Sequence, residues 1–283
     1  MVFKLLNMKF IAVLLTVHDR KECTDKALCH LFQSKLPKDV SLDVYLTDDG
    51  CSDGTPEMIR EKYPSVFIIH GDGNLYWNRG MYKAWQEAEH SKEYDFFLWL
   101  NDDTYINVDA IQRMIDSSHS ANDKAIIAGA TRSQTTGKCT YGLRDRKTGA
   151  LLVPNGTLQN GKGLNGNFVL VPRSVFQLLG KLDPNYQHAG GDTDYGLRAE
   201  EKNIDVLLSP EYIGYCEQHP TLSTWCNPNV PFAQRWTALN KPTGMPLKIL
   251  FYHEKKHYGI KVALFHTFTT ILHCLIPRLW ENR

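Results

Sequence analysis

The chain reads as an α/β protein: an open Rossmann-like sheet flanked by helices and followed by a helical tail. Three observations carry that reading: near-continuous apolar runs of strand length at residues 10–17 and 96–100, helical stretches alternating with such runs, and aspartate-bearing loops directly after the strands. Strands that alternate with helices call for parallel β-α-β units in a doubly wound sheet. Right-handed crossovers then set the loops after the strands on one edge, where such sheets bind ligands.

Residues 10–17 are apolar apart from Thr16, as expected of a parallel strand covered by helices on both faces. His18, Asp19 and Arg20 follow, and 21–34 reads as a helix with Ala27, Leu28, Leu31 and Phe32 at helical spacing. A second strand at 42–47 runs into the turn-rich loop Asp48-Asp49-Gly50-Cys51-Ser52-Asp53-Gly54-Thr55, and Pro56 suits the first position of a helix over 56–62. A third strand covers 66–70, and the glycine-bearing loop 71–80 leads into a helix reaching Glu89. The fourth strand, 96–100, ends abruptly in Asn101-Asp102-Asp103-Thr104.

A helix at 108–118 and a strand at 125–130 complete this alternation. Residues 141–160, with Lys147-Thr148-Gly149-Ala150 and Asn155-Gly156 as hairpin turns, read as an antiparallel insertion. A strand over 165–172 has Gly166 at its start, where glycine permits a ligand or another backbone to approach closely or marks a simple bend. After a short helix at 173–179, Gly190-Gly191-Asp192-Thr193-Asp194 opens a helix to about 202. Its acids fit helix capping or a ligand site, and the two glycines favour a tight loop at a site. A short strand at 206–208 and the stretch 213–219, ending in His219, follow.

The 283 residues fit one large domain or two smaller ones, and the change of character after Trp225 divides them into a catalytic unit, 1–225, and a helical extension, 226–283. With 42% hydrophobic and 22% charged residues the chain can build an ordinary core. A net charge of +1 gives no sign of nucleic-acid binding. Seven cysteines, with no C-x-x-C among them, read as reduced thiols, and no apolar segment precedes a small-residue cleavage site, so the expected compartment is the cytoplasm. The tail mixes Lys248, Lys255, Lys256 and Lys261 with Phe251, Tyr252 and Tyr258. That suits a membrane surface, on the inner face of the plasma membrane, or helices packed back on the catalytic unit or in a dimer.

Adjacent carboxylates at the end of a hydrophobic strand are costly unless a cation or solvent compensates them. Asp102 and Asp103 therefore suit a hard divalent ion such as Mg²⁺ or Mn²⁺, the alternative being a solvated turn that caps the next helix. A lone histidine such as His219 is a ligand only if partners converge on it.

The ordered set Thr16-Val17-His18-Asp19-Arg20, Asp48-Asp49-Gly50-Cys51-Ser52-Asp53-Gly54-Thr55, Gly73-Asn74-Leu75-Tyr76-Trp77, Asn101-Asp102-Asp103-Thr104, Gly166-Asn167-Phe168 and Asp192-Thr193-Asp194-Tyr195-Gly196-Leu197-Arg198, with His219 after it, resembles the family 2 glycosyltransferases, particularly the bacterial branch with rhamnosyl- and galactofuranosyltransferases. The likeness spans residues 10–220, in family order. It implies a GT-A fold, a Rossmann-like mixed sheet. It further implies that Thr16, His18 and Arg20 line the nucleotide pocket, that Asp48 accepts a hydrogen bond from a uracil or thymine imide, and that Asp102 faces the donor's ribose or sugar. Asp103 resembles the metal-binding end of a D-x-D-type signature, and His219 the second ligand. Asn101 stands where many relatives carry aspartate. Asp192 resembles the catalytic base, and Trp77, Gly166, Asn167 and Asp194 would lie by the donor or acceptor sugar, although Trp77 equally suits the core.

The implied activity is inverting, metal-dependent transfer of a hexosyl or deoxyhexosyl group from a UDP- or dTDP-sugar to a glycan or lipid-linked acceptor in cell-surface polysaccharide synthesis. A nucleotidyltransferase on a similar sheet would need a glycine-rich basic loop after the first strand, where this chain has none. A non-catalytic nucleotide- or carbohydrate-binding module is the remaining alternative.

Overall fold

The computed structural model describes residues 8–218 and 222–280. Its centre is a ten-stranded mixed sheet. Strands β1 (Lys9–Val17), β2 (Val40–Asp48), β3 (Val66–His70) and β4 (Phe96–Leu100) are mutually parallel, in the order β3-β2-β1-β4. Helices α1 (Lys21–Phe32), α2 (Thr55–Lys62) and α3 (Tyr76–Ser91) connect them. The short β5 (Tyr105–Ile106), helix α4 (Ala110–Ser120) and β6 (Ile126–Arg132) follow.

The apolar runs are continuous because both faces of the sheet are covered, and successive residues of one strand feed opposite cores. Ile11, Val13 and Leu15 of β1 and Phe96, Leu98 and Leu100 of β4 pack with Leu28 and Leu31 of α1, Ile59 of α2 and Met114 of α4. Ala12 and Leu14, with Phe97 and Trp99, join Met81, Ala84 and Trp85 of α3 on the other side.

Beyond β4 the parallel β-α-β pattern gives way to the mixed sheet that the resemblance implied. Strand β9 (Phe168–Pro172) runs antiparallel to both β4 and β6, with Leu100 opposite Phe168. Its first residues therefore lie beside the last residues of β4, and the backbone N–H of Asn101 donates to the carbonyl of Asn167 at 3.0 Å. The insertion appears as β7 (Cys139–Tyr141), antiparallel to β6, and β8 (Gln159–Asn160), antiparallel to β10. The two pieces expected at 206–208 and 213–219 form one strand, β10 (Val206–Tyr215), whose register shifts between Leu208 and Tyr212, around Pro210. Helices α5 (Arg173–Leu179) and α6 (Gly191–Glu201) lie between β9 and β10.

Helices α7 (Phe232–Asn240), α8 (Leu247–Tyr258) and α9 (Ile260–Leu275) make up the tail. Part of its basic character turns inward. Lys256 of α8 reaches Asp183 at 2.8 Å and Asp194 at 2.5 Å, and Tyr252 donates to Asp183 at 2.7 Å. The His257 ring lies between Asp194 and Glu201 at 2.9 and 2.8 Å. Helix α8 is thus packed back on the sheet domain by ionic contacts, leaving Lys248, Lys255 and Lys261 exposed. Among the described residues no helix is long and apolar enough to cross a membrane.

These contacts give the tail a pH signature. Burial opposes ionisation of Asp183, but Lys256, the Asn185 amide and Tyr252 hold its carboxyl down to about 2, from 3.8. A carboxyl depressed in the folded state stabilises above its unfolded value, and that contribution is lost as pH falls from about 4 toward 2. Lys256→Gln is expected to cost about 2 kcal/mol at pH 7. In urea melts the gap to the wild type should shrink below pH 4.

Candidate active site

A hollow of about 650 Å³ opens at the carboxyl edge of β1, β2 and β4. Thr16, His18 and Arg20 line it from the end of β1, Asp102 and Asp103 from the end of β4, Gly166 and Asn167 from the start of β9, and Asp192 from the first turn of α6. Trp77, in the first turn of α3, closes one wall. Segments far apart in sequence thus converge on one cavity because parallel strands end at one edge and β9 begins there.

The two aspartates after β4 are answered by a cation from the chain itself. The Arg20 guanidinium forks between them, with Nη1 at 3.0 Å from Asp102 Oδ1 and Nη2 at 3.0 Å from Asp103 Oδ2. Burial pushes the Asp102 carboxyl up to about 7, against the pull of Arg20 and with the repulsion of Asp103. The Cys216 thiol, pushed up to about 12 by burial and by Asp103, stays protonated and points at Asp103 Oδ1 from 3.7 Å. These are hard oxygen donors at the rim of a hollow, and they fit a small divalent cation that would share them with Arg20. His219, expected as a second ligand, lies outside the described residues.

Asp192 is oriented by backbone amides. Its Oδ2 accepts from Gly166 N–H at 3.1 Å and its Oδ1 from Thr193 N–H at 2.8 Å. Burial pushes its carboxyl above the usual range, against those hydrogen bonds. The two glycines before it have separate reasons. Gly190 has φ +92°, and a Cβ on Gly191 would run into the Asn78 side chain. Asn78 is itself held by the carbonyls of Asp183 and Tyr186, each 2.8 Å from its amide.

Trp77 stands between the hollow and the core. Its ring lines the hollow and packs edge-on against the buried Trp99, with centroids 6.0 Å apart. Its indole N–H donates to Asn101 Oδ1 at 2.7 Å, which gives the asparagine at this position a structural use. Gly166 lies against the same ring, so the group that its missing Cβ admits is the Trp77 side chain.

Two expected residues stand elsewhere. Asp48 does not line the hollow: it is 5% exposed, its Oδ1 accepts from Cys51 N–H at 2.8 Å, and its Oδ2 lies 3.4 Å from His70 Nδ1. Its neighbour Asp49 lines the hollow instead, taking the amides of Gly73, Leu75 and Tyr76 at 2.8–3.1 Å and so shaping the loop beneath α3. Asp194 is corrected from a sugar contact to an anchor. It is fully buried, and Arg198, Lys256, His257 and Tyr186 surround its carboxylate, which leaves no edge for a ligand. Burial opposes its charge, yet Lys256 and Arg198 hold its carboxyl below the usual range.

Sequence reasoning missed Tyr76, Tyr141, His188 and Thr243, which also line the hollow. Tyr76 carried a signal in its glycine-bearing loop, where it takes φ +56° to aim its N–H at Asp49. Thr243, in the tail, had none. Asp19, Cys51 and Asp53 also lie close enough to share an ion, but Asp19 and Asp53 already accept loop amides from Ser52, Lys21 and Thr55, and burial lifts the Cys51 thiol to about 12.

The family model for glycosyl transferase family 2 matches residues 12–177, more than half of the chain. The chain belongs to that family. Solved structures similar to this family 2 glycosyltransferase share its fold at low identity. A mannosyltransferase from Pyrobaculum calidifontis, PcManGT, in complex with GDP-Man and Mn²⁺ is 13% identical with a TM-score of 0.56, over 96% of this chain and 88% of that one. S. aureus TarS is 12% identical with a TM-score of 0.55, over 97% of this chain, which spans only 44% of TarS. A TarS fragment in complex with UDP is 14% identical with a TM-score of 0.53, over 89% of this chain and 72% of that one. No curated protein matches this glycosyltransferase in sequence.

Gly166→Ala tests the packing that shapes the sugar side of the hollow. The added methyl has to displace Trp77, and the expected cost is about 1–3 kcal/mol in urea melts, with a shift in tryptophan emission. An unchanged melt and spectrum would contradict this packing.

Proposed function

We propose that this glycosyltransferase inverts, moving a hexosyl or deoxyhexosyl group from a UDP- or dTDP-sugar to a glycan or lipid-linked acceptor, with Asp192 as general base. The observation that carries the reading is the sharing of one hollow by Asp192 and the Asp102-Asp103 pair. In a single displacement the acceptor hydroxyl attacks the anomeric carbon as the nucleoside diphosphate leaves, and the proton goes to a carboxylate on the attacking side. Two amides fix the Asp192 side chain, and burial raises its affinity for a proton, both of which suit a base.

At the other end, Asp103 would hold a divalent cation, with His219 as its expected partner. When bound, the ion supplies Lewis-acid neutralisation of the departing diphosphate. Asp102 and Arg20 would face the donor's ribose and phosphates, and Thr16 and His18 its nucleoside. Trp77, with Gly166 and Asn167 beside it, would bear on the sugar. For the base, a uracil or thymine would extend past Asp49, beyond the hollow, for Asp48 Oδ2 beside His70 to accept from its imide. GDP-Man and UDP in the relatives' structures support a nucleotide-bound donor and leave the base open.

We further propose that the enzyme works in the cytoplasm at the inner face of the plasma membrane, in cell-surface polysaccharide synthesis. All seven cysteines are free thiols, which suits a reducing compartment. On α9, Leu264, Phe265 and Phe268 are 59%, 62% and 59% exposed, the helix has no acid, and Lys261 is exposed beside them. An apolar helix face with basic neighbours suits an anionic lipid surface.

Thermal melts and a transfer assay test the chemistry together. UDP or dTDP with Mn²⁺ is expected to raise the melting temperature of the wild type and of Asp192→Asn but not of Asp103→Ala, and GDP to raise none. Asp192→Asn should lose about 10²- to 10⁴-fold in transfer. Full transfer by that variant would remove the base assignment. For the membrane, the wild type should pellet with anionic vesicles at low salt and the double variant Phe265→Ser, Phe268→Ser should stay in the supernatant. Equal pelleting would remove α9 from that role.

A further inference from the structure

The main hollow does not end at Asp192. Through His188 and Ala189, which line both, it adjoins a second cavity of about 330 Å³, large enough for a small polar group rather than a whole glycan. Its walls come from α3, from the loop 185–189 and from the tail segment 240–252. Its charge is one-sided. Arg79 and Lys248 line it, and among the described residues no carboxylate does.

Both cations have donors to spare. Arg79 spends its Nε on the carbonyl of Pro184 at 3.0 Å, which orients the guanidinium, and among the described residues neither its terminal nitrogens nor Lys248, in the first turn of α8, has a side-chain hydrogen bond or ion pair. Pro242, Pro246 and Ile249 supply an apolar flank beside these charges. The cavity shares no residue with the Arg20, Asp102 and Asp103 end of the hollow, so the donor's diphosphate has its own place.

We propose that this cavity binds a phosphate group of the acceptor, so that the enzyme glycosylates a phosphate-bearing acceptor whose free hydroxyl is presented to Asp192. The inference rests on the proposed transfer reaction and names its acceptor class. A fixed guanidinium and an ammonium are the groups that recognise a phosphate, and their pairing with an anion is charge-assisted on both sides. The same chemistry serves a lipid phosphate or a phosphodiester of a soluble polymer, and the apolar flank can lie against the prenyl chain of the first.

The test is calorimetric titration of the full chain, saturated with UDP and Mn²⁺ so that the donor end is filled. Glycerol 3-phosphate is the soluble probe, geranyl monophosphate, with the same phosphate charge, the lipid one, and glycerol the neutral control. Glycerol 3-phosphate is expected to bind and glycerol not, with Lys248→Gln weakening binding about tenfold and Lys255→Gln, on the same helix but outside the cavity, leaving it unchanged. Since Arg79→Gln also loosens the loop at Pro184, Arg79→Lys accompanies it and should retain much of the affinity. Tighter binding of geranyl monophosphate, lost in Lys248→Gln, marks the source as lipid-linked; equal or weaker binding marks a soluble polymer. Absence of phosphate binding, or binding that Lys248→Gln does not weaken, overturns the proposal. Failure of UDP itself to bind would count against the donor reading instead, and the phosphate titration can be read without it.

Discussion

Charge carried to the end of a buried strand has to be answered by a partner, and that constraint organises this protein. Each apolar strand of the parallel half stops at an aspartate or just before one. The chain answers each group differently: Arg20 forks across Asp102 and Asp103, three loop amides converge on Asp49, two amides hold Asp192, and a lysine, an arginine and a histidine enclose Asp194. The first three arrangements set the carboxylates in the wall of the hollow, with Asp49 spent on the loop amides, whereas the fourth turns its carboxylate away from it. Asp102, Asp103 and Asp192 are thus placed for chemistry, while Asp49 and Asp194 hold the structure together.

Asp192 and Asp194 show how finely that separation is made. Two positions apart in the first turn of α6, they point to different surroundings, one to the hollow and one to α8. The tail is therefore part of the catalytic unit's architecture. Its lysine and histidine pin the helix that carries Asp192, Thr243 reaches the hollow, and Lys248 reaches the cavity beside it. A boundary at residue 225 marks a change in composition rather than an end to these contacts.

Much of the parallel half was legible in the sequence because apolar runs of strand length and their aspartate-bearing ends are local signals. Parallel topology put the acids at 48–49 and 102–103 on one edge, whereas Thr16, His18, Arg20 and Asp192 were named by the family resemblance, and all four line the same hollow as Asp102 and Asp103. The antiparallel course of β9 was not legible, because strand direction depends on where the chain re-enters the sheet and leaves no mark in five apolar residues. Asp48 and Asp49 could not be told apart for a similar reason: which of two adjacent carboxylates faces a cavity is decided by loop amides from residues 73–76. Asp194 was misread since its partners, Lys256 and His257, lie some sixty positions away. Composition showed the tail to be basic but not which way its charges turn.

The central claim is that Asp103 and Asp192, nearly ninety positions apart in the sequence, serve one reacting centre. Paramagnetic broadening tests it most directly: Mn²⁺ is added to ¹⁵N-labelled protein saturated with UDP, and the amides of Gly166 and Thr193, both bonded to Asp192, are followed. The account expects both signals to broaden together at stoichiometric Mn²⁺ and to remain sharp in Asp103→Ala. Signals that stay sharp in the wild type while Mn²⁺ is bound, or that broaden equally without Asp103, would contradict it.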